Sequence, residues 1–161
     1  MNSDIVSLII ILICVMLSAY FSATETSFTS LNRIRMKNMA EKGDKRAELV
    51  LKLLENFDKL LSTILVGNNI VNNVATTLSA VLFIDLLGSG TGPAVSTVVL
   101  TVVILIFGEI SPKSLAKESP EAFARFSAPI LRVLLVILTP LSFIFTQWKK
   151  LLGLLFRRKD A

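Results

Sequence analysis

Three runs of apolar residues, each long enough to cross a lipid bilayer, determine what this chain can fold into. We place them at 5–27, 60–84 and 93–112. About 20 mostly apolar residues in a helix span the hydrocarbon core, and a helix satisfies its backbone hydrogen-bonding groups within the segment. The sequence therefore predicts an all-α integral membrane fold with three transmembrane helices, in a single membrane domain over residues 1–161.

Positive charge decides the predicted orientation. The segment between the first and second runs holds eight Lys and Arg residues, whereas the turn between the second and third holds none. Cytoplasmic loops carry the excess of Lys and Arg, so we expect a multi-pass plasma-membrane protein with its N-terminus outside and its C-terminus cytoplasmic. The residues before the first run lack the basic stretch of a secretory signal, so we expect a retained membrane helix.

A juxtamembrane helix is predicted on the cytoplasmic side. In 44–58 the apolar residues Leu49, Leu53, Leu54 and Phe57 recur at helical spacing among charged residues. Such a pattern is typical of an amphipathic helix that lies at the membrane surface.

The last apolar segment, 120–156, is ambiguous. Its central part is long enough to cross a bilayer, but it contains Pro129, Arg132 and Pro140. A basic tail accompanies it, made up of Lys149, Lys150, Arg157, Arg158 and Lys159. If the segment crossed the membrane, this tail would lie outside, against the usual charge distribution. We therefore favour a kinked hydrophobic element, in-plane or re-entrant, that returns to the cytoplasmic side.

Composition excludes several kinds of chemistry. The chain has no His and a single Cys, Cys14, so a catalytic triad or a zinc site built on His is excluded, and we expect no enzymatic activity. The formal net charge is +5, but the cations cluster at the ends of the apolar runs. That distribution is typical of contact with anionic lipid, and we expect no nucleic-acid partner.

The motif GEISPK at 108–113 ends the third run. A carboxylate at membrane depth is costly, so Glu109 is a functional candidate, with a helix-capping role as the alternative. Pro112 has no N–H and cannot donate to the carbonyl of Gly108, so we expect a broken or widened helix and a hinge at Pro112. A free carbonyl beside a carboxylate suits a hard, oxygen-seeking cation.

Four asparagines lie within the second run as two pairs. Asn68 and Asn72 share one helix face, and Asn69 and Asn73 form an adjacent pair. Amides are costly when they face lipid. They predict either interhelical hydrogen bonds that hold a bundle or dimer together or a polar cavity, and four together favour the cavity.

Ser18, Ser22 and Glu25 share one face at the end of the first run, at spacings of four and three. The alternatives are close helix packing by small residues and an interfacial position for Glu25. We expect the three polar clusters to converge. All of them supply oxygen and none supplies sulfur or imidazole, which indicates Mg²⁺, Ca²⁺, Mn²⁺ or Na⁺. The small number of carboxylates favours Mg²⁺.

The motifs FSATET at 21–26, GNNIVN at 67–72 and GEISPKSLA at 108–116 together resemble the transmembrane domain of the CNNM/CorC (cyclin M-like, CorB/CorC) magnesium transporter family. The resemblance covers almost the whole chain. It implies a homodimeric membrane domain with juxtamembrane helices on the cytoplasmic side, and Mg²⁺ export coupled to Na⁺ entry. Members of that family usually continue into a cytosolic pair of CBS domains that binds nucleotide. Residues 1–161 lack that pair, so we expect no nucleotide binding by them.

The resemblance also implies which residues line the ion site: Ser22, Asn68, Asn72, the Gly108 carbonyl and Glu109. Neighbouring polar residues are candidates for the ion pathway or a second ion: Ser18, Glu25, Asn69 and Asn73. Two alternatives stay open, a non-transporting membrane module for dimerisation or assembly and a Mg²⁺ sensor.

Overall fold

The structure is a computed structural model that describes residues 2–157. Within them every regular element is helical, in the order α1 (Ser3–Ser30), α2 (Arg33–Glu41), α3 (Lys45–Leu54), α4 (Phe57–Leu87), α5 (Gly92–Val103), a π-helical segment (Ile104–Ile110), α6 (Ser111–Glu118), α7 (Pro120–Ile137) and α8 (Thr139–Arg157). This confirms the predicted all-α fold. Two residues of the predicted basic tail, Arg158 and Lys159, lie outside the described residues.

Three helices of the described chain are long and apolar enough to cross a membrane. They are α1, α4 and the continuous helix Gly92–Glu118, which comprises α5, the π segment and α6. Each extends beyond the apolar run that predicts it, because polar residues at its ends continue the helix. The third helix runs past Pro112, which lies in the first turn of α6, directly after the π-helical segment.

The segment between α1 and α4 holds one helix more than the apolar pattern predicts. Asn32 starts α2, because its side-chain oxygen accepts the N–H groups of Ile34 at 3.0 Å and Arg35 at 3.1 Å. α2 then buries Met36 completely. Asp44 caps α3 in the same way, and α3 lies within the predicted 44–58. Side-chain caps of this kind satisfy N–H groups that the first helical turn leaves unpaired.

The last two helices form a bent pair. α7 and α8 meet at 73°. Together they are long and apolar enough to form one broken membrane span or a re-entrant loop. The bend falls at Leu138, just before Pro140 in the first turn of α8. Pro129 lies inside α7 without ending it. A kinked hydrophobic element is thus present, and its predicted placement, in-plane or re-entrant, stays a proposal.

Two apolar clusters form the interior, on opposite sides of a polar layer. The larger joins the end of α1, the start of α4, and α2, α3 and α7; its buried members include Phe21, Phe28, Met36, Val50, Leu60, Ile64 and Leu131. The smaller joins α1, α4 and α5 through Ile11, Cys14, Val15, Ala75 and Leu100. Between these clusters lie the polar residues Ser18 of α1 and Asn68 and Asn72 of α4, and Val71 of α4 packs against both clusters. The packing therefore places a polar layer, flanked by Val71, between the two clusters.

Ion pairs and hydrogen bonds attach α7 to the loops around α2 and α3. The Arg125 guanidinium donates to Asp44 Oδ2 at 2.8 Å. Glu121 Oε1 accepts the backbone N–H of Asn32 at 3.1 Å, with Arg35 at 4.0 Å. The N–H of Ala47 and the Arg125 guanidinium together hold the pKa of Asp44 below its usual value. Asp44 therefore stabilises two helices at once as a cap and as an ion-pair partner.

We expect Asp44→Asn to reduce thermal stability at pH 7, because Asn keeps the helix cap but loses the charge that pairs with Arg125. For a partly exposed pair the loss is up to about 1 kcal/mol. The lowered pKa means that this stabilisation is present above the usual Asp pKa and disappears as pH falls through the folded-state value. Melting temperatures at pH 7 and at acidic pH should therefore differ between wild type and Asp44→Asn only at pH 7. Glu48→Gln, an exposed acid in the first turn of α3, is the control. An equal gap at both pH values would contradict this account.

Candidate cation site

A hydrogen bond between two membrane helices forms the centre of the polar layer. Ser18 Oγ donates to Asn68 Oδ1 at 2.9 Å. Ser18 is completely buried and Asn68 half-buried. The bond forms because Gly67, beside Asn68, lets α1 approach closely: a Cβ at Gly67 would lie 2.5 Å from the Phe21 ring. Small residues at such contacts are typical of packed membrane helices.

One oxygen of this layer, Asn72 Oδ1, is buried and has no hydrogen-bond partner among the described residues. The same holds for Ser22 Oγ, one helical turn along α1 from Ser18. Asn72 reaches the layer through its amide nitrogen, 3.5 Å from Asn68 Oδ1, which is a long contact. A buried polar atom without a partner costs about 1–3 kcal/mol. Hydrogen bonds that serve only to assemble helices would not leave such atoms unpaired, so these oxygens favour a ligand-binding role.

The third membrane helix widens where it reaches this layer. Ile104–Ile110 is π-helical, and the N–H of Ser111 donates to the carbonyl of Ile106, five residues earlier. Widening before Pro112 agrees with the expectation of a broken or widened helix. π-helical turns occur often at functional sites, and here the widened turn carries both Gly108 and Glu109.

Gly108 presses directly against the hydrogen-bonded serine. It is buried, and an added Cβ would lie 3.1 Å from Ser18 Oγ. Its backbone therefore contacts the layer at a distance that a larger residue would disturb. Glu109 follows it and is half-buried. The geometry thus brings together Ser18, Asn68, Asn72 and Gly108, with Glu109 adjacent in the chain.

Other predicted residues lie away from this cluster. Glu25, Asn69 and Asn73 are exposed in the single chain. Ser22 lies one helical turn beyond Ser18 and is buried. Pro112 is buried in the wall of an apolar groove rather than in the polar layer.

Ligand chemistry in the layer depends on amide, hydroxyl and carbonyl oxygens more than on carboxylates. Among residues 2–157 there is no group of three or more His, Cys, Asp or Glu side chains that could hold a metal. Glu109 is the acidic residue that follows the cluster member Gly108 in the chain. Such a donor set suits a hard cation that keeps part of its water, and it does not suit a soft metal.

One of the buried polar pairs that the sequence reasoning missed joins α4 to α5. Ser79 Oγ and Ser96 Oγ lie 2.7 Å apart between α4 and α5, and both side chains are buried. Ser79 follows Asn72 by seven residues, or two helical turns, so it lies on the same face of α4. The seven-residue spacing from Asn72 to Ser79 is the sequence feature that could have revealed this pair. Ser79 extends the polar face of α4 to its contact with α5.

The fold and this layer define a polytopic membrane domain with an oxygen-lined interior. The profile of the cyclin M transmembrane N-terminal domain matches residues 9–160, and the chain belongs to this family. The resemblance inferred from the three motifs is thereby confirmed.

Three bacterial relatives share between 25% and 44% sequence identity with this chain. The chain is 44% identical to a UPF0053 protein of Haemophilus influenzae, over 88% of this chain and 34% of that protein. It is 40% identical to the UPF0053 inner membrane protein YfjD of Escherichia coli, over 84% of this chain and 32% of that protein. It is 25% identical to the polyamine export protein of Haemophilus influenzae, over 94% of this chain and 38% of that protein. The chain thus spans about a third of the length of these relatives.

We expect Gly108→Ala to lower the melting temperature relative to Gly153→Ala. Ala is favoured over Gly inside a helix by about 1 kcal/mol, and at Gly153 the described chain places no atom within 4 Å of the new Cβ. At Gly108 the same Cβ meets Ser18 Oγ at 3.1 Å, so the Ser18–Asn68 bond must shift. Equal or greater stabilisation by Gly108→Ala would show that the third helix does not press on Ser18.

Proposed function

We propose that this chain is the membrane domain of a Mg²⁺ transporter that exports Mg²⁺ in exchange for Na⁺ entry, without an enzymatic step. The observation that supports it most is a pair of buried oxygens without a partner among the described residues: Asn72 Oδ1, in the layer where three membrane helices meet, and Ser22 Oγ, one helical turn along α1 from Ser18. A partly hydrated cation would give both atoms a partner, at a depth where water is scarce.

The donor set favours Mg²⁺ over other hard cations. Ca²⁺ takes six to eight oxygen ligands and commonly several carboxylates, whereas Mg²⁺ keeps water and uses one or two carboxylates. Glu109 supplies one carboxylate, and Asn68, Asn72, Ser22 and the Gly108 carbonyl supply neutral oxygens. Na⁺ accepts the same kind of oxygen, so the two ions would compete for this layer. Na⁺ coupling itself rests on the family resemblance.

A movement of the third helix would open the layer alternately to the two sides. A groove of about 740 Å³ lies beside Pro112, lined by apolar side chains that include Tyr20, Phe107 and Phe123. Because that space adjoins the widened turn, α6 has room to tilt about Pro112. Pro112 is therefore the proposed hinge.

A second copy of the chain is the proposed partner on the outer face of α4. Asn69 and Asn73 are exposed in the single chain, and amides facing hydrocarbon are costly unless another polar surface covers them. Polar side chains commonly bridge membrane helices of neighbouring chains. This role is an alternative to the ion-pathway role proposed for the same two residues. The proposed orientation keeps the N-terminus outside and the C-terminus in the cytoplasm.

Flux across proteoliposomes tests the transport proposal. Wild-type chain should move Mg²⁺ at a rate that depends on an opposed Na⁺ gradient, whereas an assembly module would give none. Putrescine or spermidine flux in the same vesicles tests a polyamine cargo, which the name of one relative suggests. Flux of a polyamine but not of Mg²⁺ would overturn the cargo assignment and leave a cation transporter.

Glu109→Gln should abolish Mg²⁺ flux and the rise in melting temperature on adding Mg²⁺, while melting without Mg²⁺ stays close to wild type. The substitution removes the site's carboxylate and keeps nearly the same shape, and only a specific site stabilises the folded protein by mass action. Glu118→Gln, at the exposed end of α6, is the matched control and should behave as wild type. Wild-type Mg²⁺ affinity in Glu109→Gln would contradict the proposed site.

Pro112→Ala should raise thermal stability without Mg²⁺ and weaken Mg²⁺ binding and flux. The new N–H can bond the Gly108 carbonyl, which regularises the helix and withdraws that oxygen from the ion. Pro inside a helix costs up to about 3 kcal/mol. Pro129→Ala, inside α7, serves as control, because it should gain stability and keep full Mg²⁺ flux. Unchanged Mg²⁺ binding and flux in Pro112→Ala would rule out the Gly108 carbonyl as a ligand.

A further inference from the structure

The polar face of α8 turns toward the protein, at the start of α4. Ser142 Oγ lies 3.4 Å from Thr63 Oγ1, and Lys149 Nζ donates to Asp58 Oδ2 at 2.9 Å. Ser142, Thr146 and Lys149 follow one another at helical spacings of four and three, so they share this face. In the described part of α8, Ser142 is the one buried residue.

The opposite side of α8 is broad, apolar and exposed. Its large side chains include Phe143, Ile144, Trp148, Leu151, Leu154 and Leu155. Such a face is unfavourable in water and favourable at the boundary of the hydrocarbon region. With the polar face toward α4, this apolar face is directed to lipid.

A polar cleft of about 260 Å³ separates α8 from the start of α4. Its lining includes the cations Lys59 and Lys149, the hydroxyls of Ser62 and Thr146, and the amide of Asn56, with Phe145 at its apolar edge. Asp58 also lines it and holds Lys149 in an exposed ion pair. Thr146 Oγ1 donates to the Ser142 carbonyl at 2.9 Å, so the donors left to the cleft are the two ammonium groups, the Asn56 amide and the Ser62 hydroxyl. This is the chemistry that binds a phosphate.

We propose that this cleft binds the headgroup phosphate of an anionic phospholipid. Lys59 and Lys149 neutralise the phosphate, which displaces Asp58 from Lys149, and the acyl chains run along Phe145 and the exposed apolar face of α8. That continuity of a cationic cleft with an apolar face distinguishes a phospholipid from a soluble phosphate, which would contact only the cleft. The proposal does not depend on the transported ion.

The chain carries its own reporter for this site. Trp148 is its single tryptophan, it is exposed, and it directly precedes Lys149. The chain is placed in phosphatidylcholine bilayers that contain a small fraction of either bromine-labelled phosphatidylglycerol or bromine-labelled phosphatidylcholine. We expect the labelled phosphatidylglycerol to quench Trp148 fluorescence several-fold more than the labelled phosphatidylcholine at equal fraction.

Lysine substitutions distinguish a specific site in the cleft from general electrostatic attraction between the basic helix and anionic lipid. Lys59→Gln and Lys149→Gln should each reduce the enrichment of phosphatidylglycerol roughly fivefold, the effect of about 1 kcal/mol per cation near anionic lipid. Lys150→Gln, which removes the same charge just beside the reporter but outside the cleft lining, should change it much less. An effect of Lys150→Gln equal to that of Lys59→Gln would overturn the site in favour of diffuse attraction.

Asp58→Asn separates lipid binding from a purely structural role. It frees Lys149, so phosphatidylglycerol enrichment should rise, whereas Lys149→Gln lowers it. If the ion pair merely held α8 in place, the two substitutions would shift Trp148 quenching in the same direction, and the proposal would be wrong. Equal quenching by both labelled lipids in wild type would also overturn it. So would the loss of the difference in quenching between the two labelled lipids when millimolar inorganic phosphate is added, because such competition would show a site for soluble anions.

Discussion

The hydrogen bond from Ser18 to Asn68 fixes how α1 lies against α4, and much of the fold depends on that register. It places an apolar cluster on each side, one around Phe21 and one around Val15. It also brings Gly108 of the third helix against Ser18. Because hydrocarbon offers no alternative partner for these polar groups, one interhelical bond positions all three membrane helices around the same layer.

The apolar runs alone predicted three membrane helices, because the length of a span is set by the bilayer and leaves few alternatives. The motif at 108–113 likewise predicted a widened helix, since a proline's missing N–H is a local property. α2 was missed because an Asn32 cap and one buried residue, Met36, start and hold it without an apolar stripe. The separation of Asn68 and Asn72 from the exposed Asn69 and Asn73 depends on which face of α4 meets α1, which is a tertiary property that spacing alone does not give.

The polar layer and the group formed by α2, α3 and α7 have different physical roles. In the layer, buried oxygens without partners reduce stability, and the account assigns that cost to ion binding. Around α2, α3 and α7, caps and ion pairs such as Asp44 with Arg125 hold the helix ends in place. A hinge at Pro112 would depend on both features. If the caps and ion pairs keep α2, α3 and α7 fixed, a tilt of α6 changes the polar layer and leaves the rest of the bundle in place.

The central claim is that a hard cation occupies the layer between α1, α4 and the π segment. Mn²⁺ takes the same oxygen ligands as Mg²⁺ and scatters X-rays anomalously, so crystals of the chain soaked in Mn²⁺ test it most directly. The account predicts one anomalous peak per chain in the layer, within about 2.5 Å of oxygens from Asn68, Asn72 or Glu109. At saturating Mn²⁺, peaks confined to exposed carboxylates outside the layer, with none inside it, would contradict it.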